Sequence, residues 1–481
     1  MKSAPSLVWF RQDLRLADNP ALHVASQRGG PVIPVFVWAP EEEGQWSPGA
    51  VSRWWLHHSL GSLSDELRKR KSRLVIRMGP ASEALRSPID ATGADAVYWN
   101  HRYEPAVVRR DARIASSLTK ENVGVHTFHG SLLFDPASVS TREGKPYQVF
   151  TPFHRTCSQR DEPGPPLSAP KLCSPERWPD SIPLDDLHLL PEIDWTARMR
   201  DAWEPGVAGA EKRVDILLEK VLTNYSEDRD RPDHPGTSRL SPHLHFGEIS
   251  PRQVWHAISE YGEQSQSAGL SQQADAYLRQ LVWREFAHHL LFHFPHTANQ
   301  PLREKHAAFP WVKDTKVLRE WQRGRTGDPI VDAGMRELRT TGWMHNRVCM
   351  IVASFLVKDL LISWTEEARW FWDTLVDADL ANNTFGWQWA GGCGADAAPY
   401  FRIFNPVIQG EKFDPNGDYV RRWVPELVNI PGQWIHQPWE TPEAILEQAG
   451  VRLGRDYPQP IVDRVFARER ALAALQSLTR H

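Results

Sequence analysis

The chain has 481 residues, 41% hydrophobic and 24% charged, a composition typical of a globular protein long enough for two domains. Its formal net charge of -4 excludes the strongly basic balance of many nucleic-acid-binding proteins, so any contact with nucleic acid must come from a local patch. Neither an apolar run of about 18 residues nor a secretory leader is present, which predicts a cytoplasmic protein without a membrane span.

Cysteine and tryptophan usage adds two constraints. The four cysteines form neither a CxxC pair nor a zinc-ligand spacing, so we expect reduced thiols and no metal site. There are 22 tryptophans against 9 tyrosines, and many lie between Trp283 and Trp439. Core packing can account for many of them, but their uneven distribution asks for a further explanation.

Residues 1–130 alternate between strand-like runs and helical stretches such as Val51–Arg70. The runs are short, apolar and rich in β-branched or aromatic residues. They are Leu7–Phe10, Val32–Trp38, Leu74–Arg77, Ala96–Trp99 and Gly124–Phe128. The alternation predicts an α/β domain with a doubly wound parallel sheet and helices on both of its faces.

Two further regions follow this domain. Residues 131–205 are dominated by proline and short polar runs without clear periodicity, which predicts a linker over the surface between two domains. From residue 206 to residue 481 apolar positions recur at helical spacing, which predicts a larger all-α domain. Its clearest helical stretches are Ala274–Phe294, Pro329–Leu338, Asn346–Leu361 and Glu366–Leu375.

The all-α region contains a loop rich in glycine and hydroxyl groups, Gly236–Pro242. Its backbone N–H groups and hydroxyls are suited to hold a phosphate. Capping of the following helix by serine or threonine would explain the same residues, and both interpretations stay open on this motif alone.

The stretch Tyr277–Phe286 is typical of a buried helix. Tyr277, Gln280 and Arg284 share one face because of their spacing, and Trp283 lies beside that face. An amide, a guanidinium and aromatic rings on an apolar helix favour a polar ligand with rings that stack. A hydrogen-bonded network in the core is the alternative.

Three later segments add polar and aromatic side chains. Asn346 and Met350 point the same way because they are four residues apart on a predicted helix. Asp377 and Asp379 cannot share a helix face, which predicts a turn between helices, where carboxylates often cap helices or face solvent. The loop Asp396–Pro406 interleaves aromatic residues with arginine, a pattern of nucleic-acid binding, although a packed proline turn would also explain it.

In this order and spacing, the segments resemble the photolyase/cryptochrome family over essentially the whole chain. The matching segments are Val8–Leu16, Gly236–Pro242, the Trp283 helix, Trp343–Met350, Asp377–Trp389, the loop around Phe401, and Tyr457–Asp463. The resemblance implies a light-driven, FAD-dependent DNA repair enzyme, similar to bacterial photolyases that split cyclobutane pyrimidine dimers. Residues 1–130 would then bind a light-harvesting antenna, and residues 206–481 would bind FAD and the DNA lesion, in a monomeric enzyme.

In that family FAD lies folded in the helical domain, and the resemblance assigns positions that would bind it. They are Tyr225, Thr237, Ser238, Arg239, Leu240, Ser241, Tyr277, Gln280, Arg284, Asn346, Asp377, Ala378, Asp379 and Asn383. Asn383 occupies the place that faces flavin N5, where an amide can donate or accept a hydrogen bond. Plant cryptochromes have an acid there and insect ones a cysteine, so Asn383 favours repair over signalling.

The resemblance also gives some tryptophans a role. Trp387, Trp364 and Trp311 stand where the family has an electron-hopping chain from the flavin to the surface. Indole is polarisable and readily oxidised, so a row of tryptophans can re-reduce the flavin under light. Trp343, Trp370 and Trp372 could form a second branch, but core packing is the favoured explanation for them.

The lesion is expected to be flipped out of the DNA and pressed against the fully reduced flavin. The positions that match DNA and lesion contacts are Arg229, Gln280, Trp283, Asn346, Arg347, Met350, Trp389, Arg402 and Gln409. Trp283 and Trp389 would stack on the dimer, at roughly 1–3 kcal/mol per stacked base. The (6-4) photolyases have histidines at the places of Asn346 and Met350, which favours cyclobutane dimers as the substrate.

Two positions depart from the pattern of the dimer-specific enzymes. Gln280 stands where they usually have a glutamate that contacts the lesion, and the (6-4) enzymes have glutamine there. Cys349 stands where the family commonly has an arginine paired with the aspartate at position 377. The charge balance beside the flavin is therefore open.

The antenna is predicted from two other segments. Ala106 and Val107 replace the residues that bind a folate in the best-known bacterial enzymes, so that pocket is not supported. Ser52–His58 and Lys145–Phe153 resemble the bacterial class closest to plant cryptochromes, which binds 5,10-methenyltetrahydrofolate at a different surface. We expect that antenna, with a deazaflavin as the alternative.

Three other functions stay open. A cryptochrome-type blue-light receptor would carry a long C-terminal tail in plants, whereas 18 residues follow Asp463 here. A (6-4) photolyase is favoured by Gln280 and opposed by Asn346 and Met350. An unrelated flavoprotein that stores FAD would leave the two lesion-stacking tryptophans without a role.

Overall fold

The computed structural model describes residues 3–265, 267–396 and 402–478, and the chain divides into two compact units. The first unit comprises residues 1–223, 238–295 and 376–381. The second comprises residues 224–237, 296–375 and 382–481. The domain boundaries expected near residues 130 and 205 divide the chain differently and remain predictions.

A five-stranded sheet forms the N-terminal part of the first unit. Its strands are β1 (Ser6–Phe10), β2 (Val32–Trp38), β3 (Val75–Met78), β4 (Ala96–Asn100) and β5 (Gly124–Phe128). All neighbouring strands are parallel, in the order β3-β2-β1-β4-β5. The doubly wound α/β domain is therefore confirmed, and each strand lies within one residue of its predicted position.

Strands β1, β2 and β4 are buried on both faces, which explains why they are continuous apolar runs in the sequence, whereas the edge strand β5 exposes His126 and Thr127. All five residues of β1 are buried. Trp9 of β1 and Trp99 of β4 pack edge to face, with ring centroids 5.6 Å apart. These rings join Leu7, Ile33 and Val97 in one apolar core.

Helices surround the sheet and form most of the remaining structure, and none of the helices in the described residues is long and apolar enough to cross a membrane. Those of the first unit are α1 (Pro20–Gln27), α2 (Ala50–Lys69), α3 (Ala81–Thr92), α4 (Pro105–Lys120), α5 (Phe150–Ser158), α6 (Ala197–Ala202), α7 (Val207–Ile216), α9 (Ser241–His245), α10 (Pro251–Gln264) and α11 (Ala268–His293). Those wholly or mainly in the second are α8 (Tyr225–Asp228), α12 (Thr315–Gln322), α13 (Pro329–Thr341), α14 (Asn346–Ser354), α15 (Trp364–Thr374), α16 (Leu380–Gly391), α17 (Pro406–Phe413), α18 (Asp418–Trp423), α19 (Glu443–Ala449) and α20 (Arg464–Ser477). The predicted all-α region is confirmed.

Two expectations about local structure were wrong. The helix predicted over Asn346–Leu361 ends as α14 at Ser354 and continues as a π-helical turn, Phe355–Asp359. All five residues of this turn are buried, so no contrast between a buried and an exposed face marks the change of helix type. The segment predicted to lack periodicity, residues 131–205, contains α5, whose buried residues Phe150, Phe153 and Cys157 follow helical spacing over only nine residues.

Candidate functional site

In the loop Gly236–Pro242, here called the hydroxyl loop, the residues from Ser238 onward form a hydrogen-bonded turn in the first unit. The Tyr277 hydroxyl donates to Ser238 Oγ at 2.7 Å, and the Leu240 N–H donates to the same oxygen at 3.3 Å. Between them Arg239 adopts a left-handed backbone conformation with φ 56°, which turns the chain into α9 at Ser241. Ser238 is thus held from two sides, and the loop places two serine hydroxyls close in sequence on one bend.

The turn Asp377–Asp379, here called the aspartate turn, places two carboxyl groups in the first unit, and their pKa values are shifted in opposite directions. It joins α15 to α16, as the spacing of the two aspartates predicted. Burial raises the pKa of Asp377, while a hydrogen bond with Ser241 and the charge of His245 partly offset the increase. Burial also acts on Asp379, but the charge of His288 and the contact with His245 hold the pKa of that carboxyl well below its usual range.

The ion pairs explain the difference between the two carboxyl groups. Asp379 Oδ2 lies 3.3 Å from His288 Nε2 and 3.8 Å from His245 Nδ1. A carboxylate beside two imidazoles has its charge stabilised, whereas burial dominates at Asp377 and the Ser241 hydrogen bond and His245 offset it only in part. The turn therefore holds two neighbouring carboxyl groups whose pKa values are shifted in opposite directions.

Asp379 and Arg284 also line a polar cleft of about 390 Å³ inside the first unit. The other residues of the cleft lie at the carboxyl ends of β1 and β4, in the loop after β5, or on α9 and α11. They are Arg11, Gln12, Asp13, Asn100, His101, Arg102, Tyr103, Glu104, Ser131, His245 and His288. Strands β1 and β4 are neighbours from which the chain leaves in opposite directions, a place where open α/β sheets commonly bind ligands. The sequence missed this cleft, although several of its residues directly follow predicted strands.

Tyr277, Gln280 and Arg284, which were predicted to share one face of α11, form hydrogen bonds with three different partners. Tyr277 reaches the hydroxyl loop, whereas Arg284 Nη1 donates to the Ser131 carbonyl oxygen at 2.7 Å. Gln280 Nε2 donates to the Ala276 carbonyl oxygen of its own helix at 3.1 Å. The structure therefore brings Tyr277 and the serine loop together and places Arg284 in the polar cleft.

Trp283 of α11 is half-buried and stacks on another aromatic ring. Its ring lies face to face with that of Phe150, with centroids 3.4 Å apart and planes inclined by 6°. Phe286 meets its edge at 6.0 Å. One face of Trp283 is therefore covered, which leaves at most one face for a stacking ligand.

In the second unit, Asn383 and the three predicted hopping tryptophans lie on α15, α16 and a preceding loop. Asn383 Nδ2 donates to the Ala368 carbonyl oxygen at 2.9 Å, which leaves the amide oxygen as an acceptor. Trp387 and Trp364 are 4% and 3% exposed, whereas Trp311 is half-buried. The series therefore runs from two buried rings to one that reaches the surface.

Three predicted lesion contacts meet in the second unit. Met350, Trp389 and Arg402 line one pocket of about 340 Å³. Its other residues are Ser354, Lys358, Ala390, Gly392 and Phe404. Burial lowers the pKa of Lys358 to about 7, so its amine is only partly charged near neutral pH. The adjoining residues 397–401, which include Phe401 of the predicted aromatic loop, lie outside the described residues.

A second group of predicted contacts gathers on one carboxylate of the second unit. Arg347 Nη2 lies 2.7 Å from Asp230 Oδ2, and Arg229 Nε lies 4.0 Å from Asp230 Oδ1. The Arg229 guanidinium also lies over the ring of Tyr225, 5.4 Å from its centroid. Asp230 therefore holds two arginines in place.

The remaining predicted residues occupy separate places. Ala378 is buried in the aspartate turn, and Thr237 is half-buried in the second unit. Asn346 is exposed at the start of α14, and Gln409 is half-buried on α17. The Cys349 thiol donates to the Met344 carbonyl oxygen at 3.7 Å, while Ser241 and His245 act on the Asp377 carboxyl group.

Comparison with known proteins bears on the whole chain. Two family models match, one described as DNA photolyase over residues 6–171 and one as the FAD binding domain of DNA photolyase over residues 277–477. The deoxyribodipyrimidine photo-lyase of Agrobacterium fabrum is 50% identical over 476 residues, 98% of each chain. Cryptochrome-1 of Arabidopsis thaliana is 41% identical over 98% of this chain and 70% of that protein.

A solved structure extends this similarity to three dimensions. The crystal structure of a bacterial class III photolyase from Agrobacterium tumefaciens matches with a TM-score of 0.96 at 49% identity. The match covers 100% of this chain and 99% of that one. The α/β part and the helical part are therefore arranged along the chain as in a solved photolyase.

Proposed function

The chain belongs to the photolyase/cryptochrome family, and on that basis we propose that it is a deoxyribodipyrimidine photolyase, an enzyme that uses blue or near-ultraviolet light to split cyclobutane pyrimidine dimers in DNA. The observation that supports this most directly is the similarity to a photo-lyase over nearly the full length of both proteins.

FAD fits the polar groups that the first unit gathers around the hydroxyl loop. The hydroxyls of Ser238 and Ser241 suit phosphate or sugar oxygens, and Tyr277 holds Ser238 in position. Asp377, with its raised pKa, and the ionised Asp379 suit the donors and acceptors at the edges of a flavin or adenine ring. When bound in its reduced form, FAD supplies, on absorbing light, the electron that opens the cyclobutane ring, and it takes that electron back.

Asn383 would serve the reduced form of the cofactor. Its Nδ2 is engaged by the Ala368 carbonyl oxygen, so its amide oxygen is the group left to accept a hydrogen bond. An acceptor of this kind stabilises a protonated ring nitrogen, which the reduced flavin has at N5. Tyr225, Thr237 and Asn346 are the remaining positions that we propose for FAD binding.

The flipped dimer would be held by stacking and its flanking phosphates by charge. Trp283 and Trp389 are the residues proposed to stack on the pyrimidine rings, and Met350 and Asn346 are further proposed lesion contacts. The pocket that unites Met350, Trp389 and Arg402 supports this assignment for the second unit. Arg229, Arg347, Arg402 and Gln409 would contact phosphates, which provides the local basic surface that the acidic chain requires.

Trp387, Trp364 and Trp311 would pass electrons toward the flavin when it is oxidised. The two buried rings and the half-buried third ring support a path that ends at the surface. No general base or metal is needed for either electron transfer, so the residues in this proposal bind, orient or conduct.

The antenna proposal is 5,10-methenyltetrahydrofolate, with a deazaflavin as the alternative, on the domain of residues 1–130. Within the segment Ser52–His58, Trp54 and Trp55 are core residues at 1% and 0% exposure, so Arg53, His57 and His58 remain for a surface ligand. Mass spectrometry of the chromophores released from the purified protein distinguishes the two compounds. We further propose that the enzyme acts as a monomer, with residues 131–205 as the linker to the FAD-binding and lesion-binding domain of residues 206–481.

The substrate is tested by illuminating the FAD-loaded, chemically reduced protein with oligonucleotides that carry either a cyclobutane dimer or a (6-4) product. We expect restoration of the cyclobutane dimer, measured by chromatography of the oligonucleotide. Restoration of only the (6-4) product would refute the substrate assignment. Restoration of neither would favour a blue-light receptor, the function that the similarity to Cryptochrome-1 suggests as second candidate.

A further inference from the structure

Trp283 is held in the first unit by an aromatic contact that its proposed role in lesion stacking does not by itself explain. Phe150 opens α5, is 1% exposed, and lies face to face with Trp283 at a centroid distance of 3.4 Å. Full overlap of two aromatic rings is not the arrangement that their quadrupoles favour, since offset or edge-to-face packing is usually preferred. Burial of the Phe150 ring offsets part of this cost, and a neighbouring cation can offset more of it.

Arg279 supplies one such stabilising group. Its guanidinium carbon lies 5.3 Å from the centroid of the Phe150 ring. Arg279 precedes Trp283 by one turn of α11, so both side chains leave the helix on the same side and both contact Phe150. A cation near the Phe150 ring is attracted by the negative face of that ring and polarises its π electrons toward itself. This polarisation reduces the repulsion between the faces of Phe150 and Trp283.

The contacts around this stack restrict Trp283 in two directions. Phe150 covers one face, and Phe286, which is fully buried, meets the Trp283 edge at an angle of 72°. Phe286 in turn packs against Phe150 at 5.8 Å, so the three rings fix one another. An indole held in this way needs little further ordering when a ligand stacks on its remaining face.

We propose that Phe150, assisted by Arg279, is a positioning residue that orients Trp283 as a one-sided stacking platform for the flipped dimer. The inference rests on the proposed lesion-binding function of Trp283. It adds that the dimer stacks on a single, preset face of the indole, because Phe150 occupies the other. It also assigns a functional consequence to α5, which lies in the segment expected to be a plain linker.

The test compares Phe150→Leu with the matched control Phe153→Leu in the FAD-loaded protein. Phe153 is equally buried on the same helix and packs on Phe286 and His289. Phe150→Leu should weaken dark binding of dimer-containing DNA by roughly 2- to 10-fold, the effect of freeing one immobilised side chain, and should leave binding of undamaged DNA unchanged. Phe153→Leu should leave the ratio of the two affinities unchanged.

A double-mutant cycle separates positioning from general packing. In a Trp283→Ala background, Phe150→Leu should cause no further loss of dimer affinity, because its effect acts through the indole. The same fold-loss in both backgrounds, or no loss in either, would overturn the inference. The wild-type protein shows which idea has failed. If it does not prefer dimer-containing DNA, the proposed function is refuted; if it does but the variants behave otherwise than expected, only the positioning role of Phe150 is refuted.

Arg279→Gln tests the same contact without altering the core, should Phe150→Leu fail to fold. Arg279 is exposed, so the substitution spares the apolar packing of α5 against α11. We expect about a 2-fold loss confined to dimer-containing DNA and absent in the Trp283→Ala background. An equal loss with undamaged DNA would indicate a direct phosphate contact and contradict the positioning role.

Discussion

The buried carboxyl group of Asp359 should make the stability of the second unit depend on pH. It ends the π-helical turn after α14, is 3% exposed, and its Oδ2 atom has no hydrogen-bond partner among the described residues. Burial, reinforced by the charge of Asp328, raises its pKa from 3.8 to about 7, although Arg464 and Arg470 act in the opposite direction. The folded protein therefore holds a proton that the unfolded chain releases near pH 4.

The sign of the effect follows from proton counting. Between about pH 4 and pH 7 the folded state binds more protons than the unfolded state, so stability falls as pH rises and the loss is complete above the folded pKa. Asp359→Asn removes this titration. Between pH 5 and pH 8 the free energy of unfolding of Asp359→Asn should rise by about 2–3 kcal/mol relative to that of the wild type. Only the two pH units between pH 5 and the folded pKa contribute, at about 1.4 kcal/mol per unit.

Urea denaturation followed by circular dichroism at pH 5 and pH 8 measures this difference. Asp90→Asn, which changes an exposed carboxylate on α3, is the matched control and should show no comparable change between the two pH values. If the difference in free energy of unfolding between Asp359→Asn and the wild type is the same at pH 5 and pH 8, the argument that a buried carboxyl group titrates there is refuted.

Three further predictions concern function. Trp387→Phe should repair normally once its flavin is chemically reduced but should photoreduce slowly, as followed by visible absorbance; unchanged photoreduction would exclude Trp387 from the hopping chain. Trp283→Ala should lower affinity for dimer-containing DNA roughly 10- to 100-fold, measured by fluorescence anisotropy, with little effect on undamaged DNA. Arg347→Gln should weaken both DNAs alike and reduce the slope of log K against log salt by about 1, whereas a loss confined to damaged DNA would speak against a phosphate contact.

The central strands β1, β2 and β4 could be predicted from the sequence because they are buried on both faces. A strand such as β2 is then a continuous apolar run between turns, and its predicted and observed limits coincide at Val32 and Trp38. Helices lack so sharp a boundary. The π-helical turn after Ser354 is buried on all sides and so shows no one-sided pattern, and α5 is too short for its three buried residues to establish a period.

The sequence indicated which residues belong to the candidate site, but it did not indicate which residues they contact. Residue type and order indicate Trp283, Asp377 and Asp379, but periodicity along the chain carries no record of which distant side chain will meet each of them. The stack of Phe150 on Trp283 and the ion pairs of Asp379 with His245 and His288 arise only when separate segments fold together. The opposite pKa shifts of the two aspartates follow from burial and from those contacts, and not from their spacing.

The central claim is that this chain repairs pyrimidine dimers with light and reduced FAD, and one experiment tests it most directly. The purified protein, loaded with FAD and chemically reduced, is mixed with an excess of an oligonucleotide carrying a single cyclobutane dimer and divided between light and darkness. The account predicts conversion of several dimers per protein molecule in the illuminated half and of none in the dark half. Persistence of the dimer in the light, with FAD bound and reduced, would contradict it.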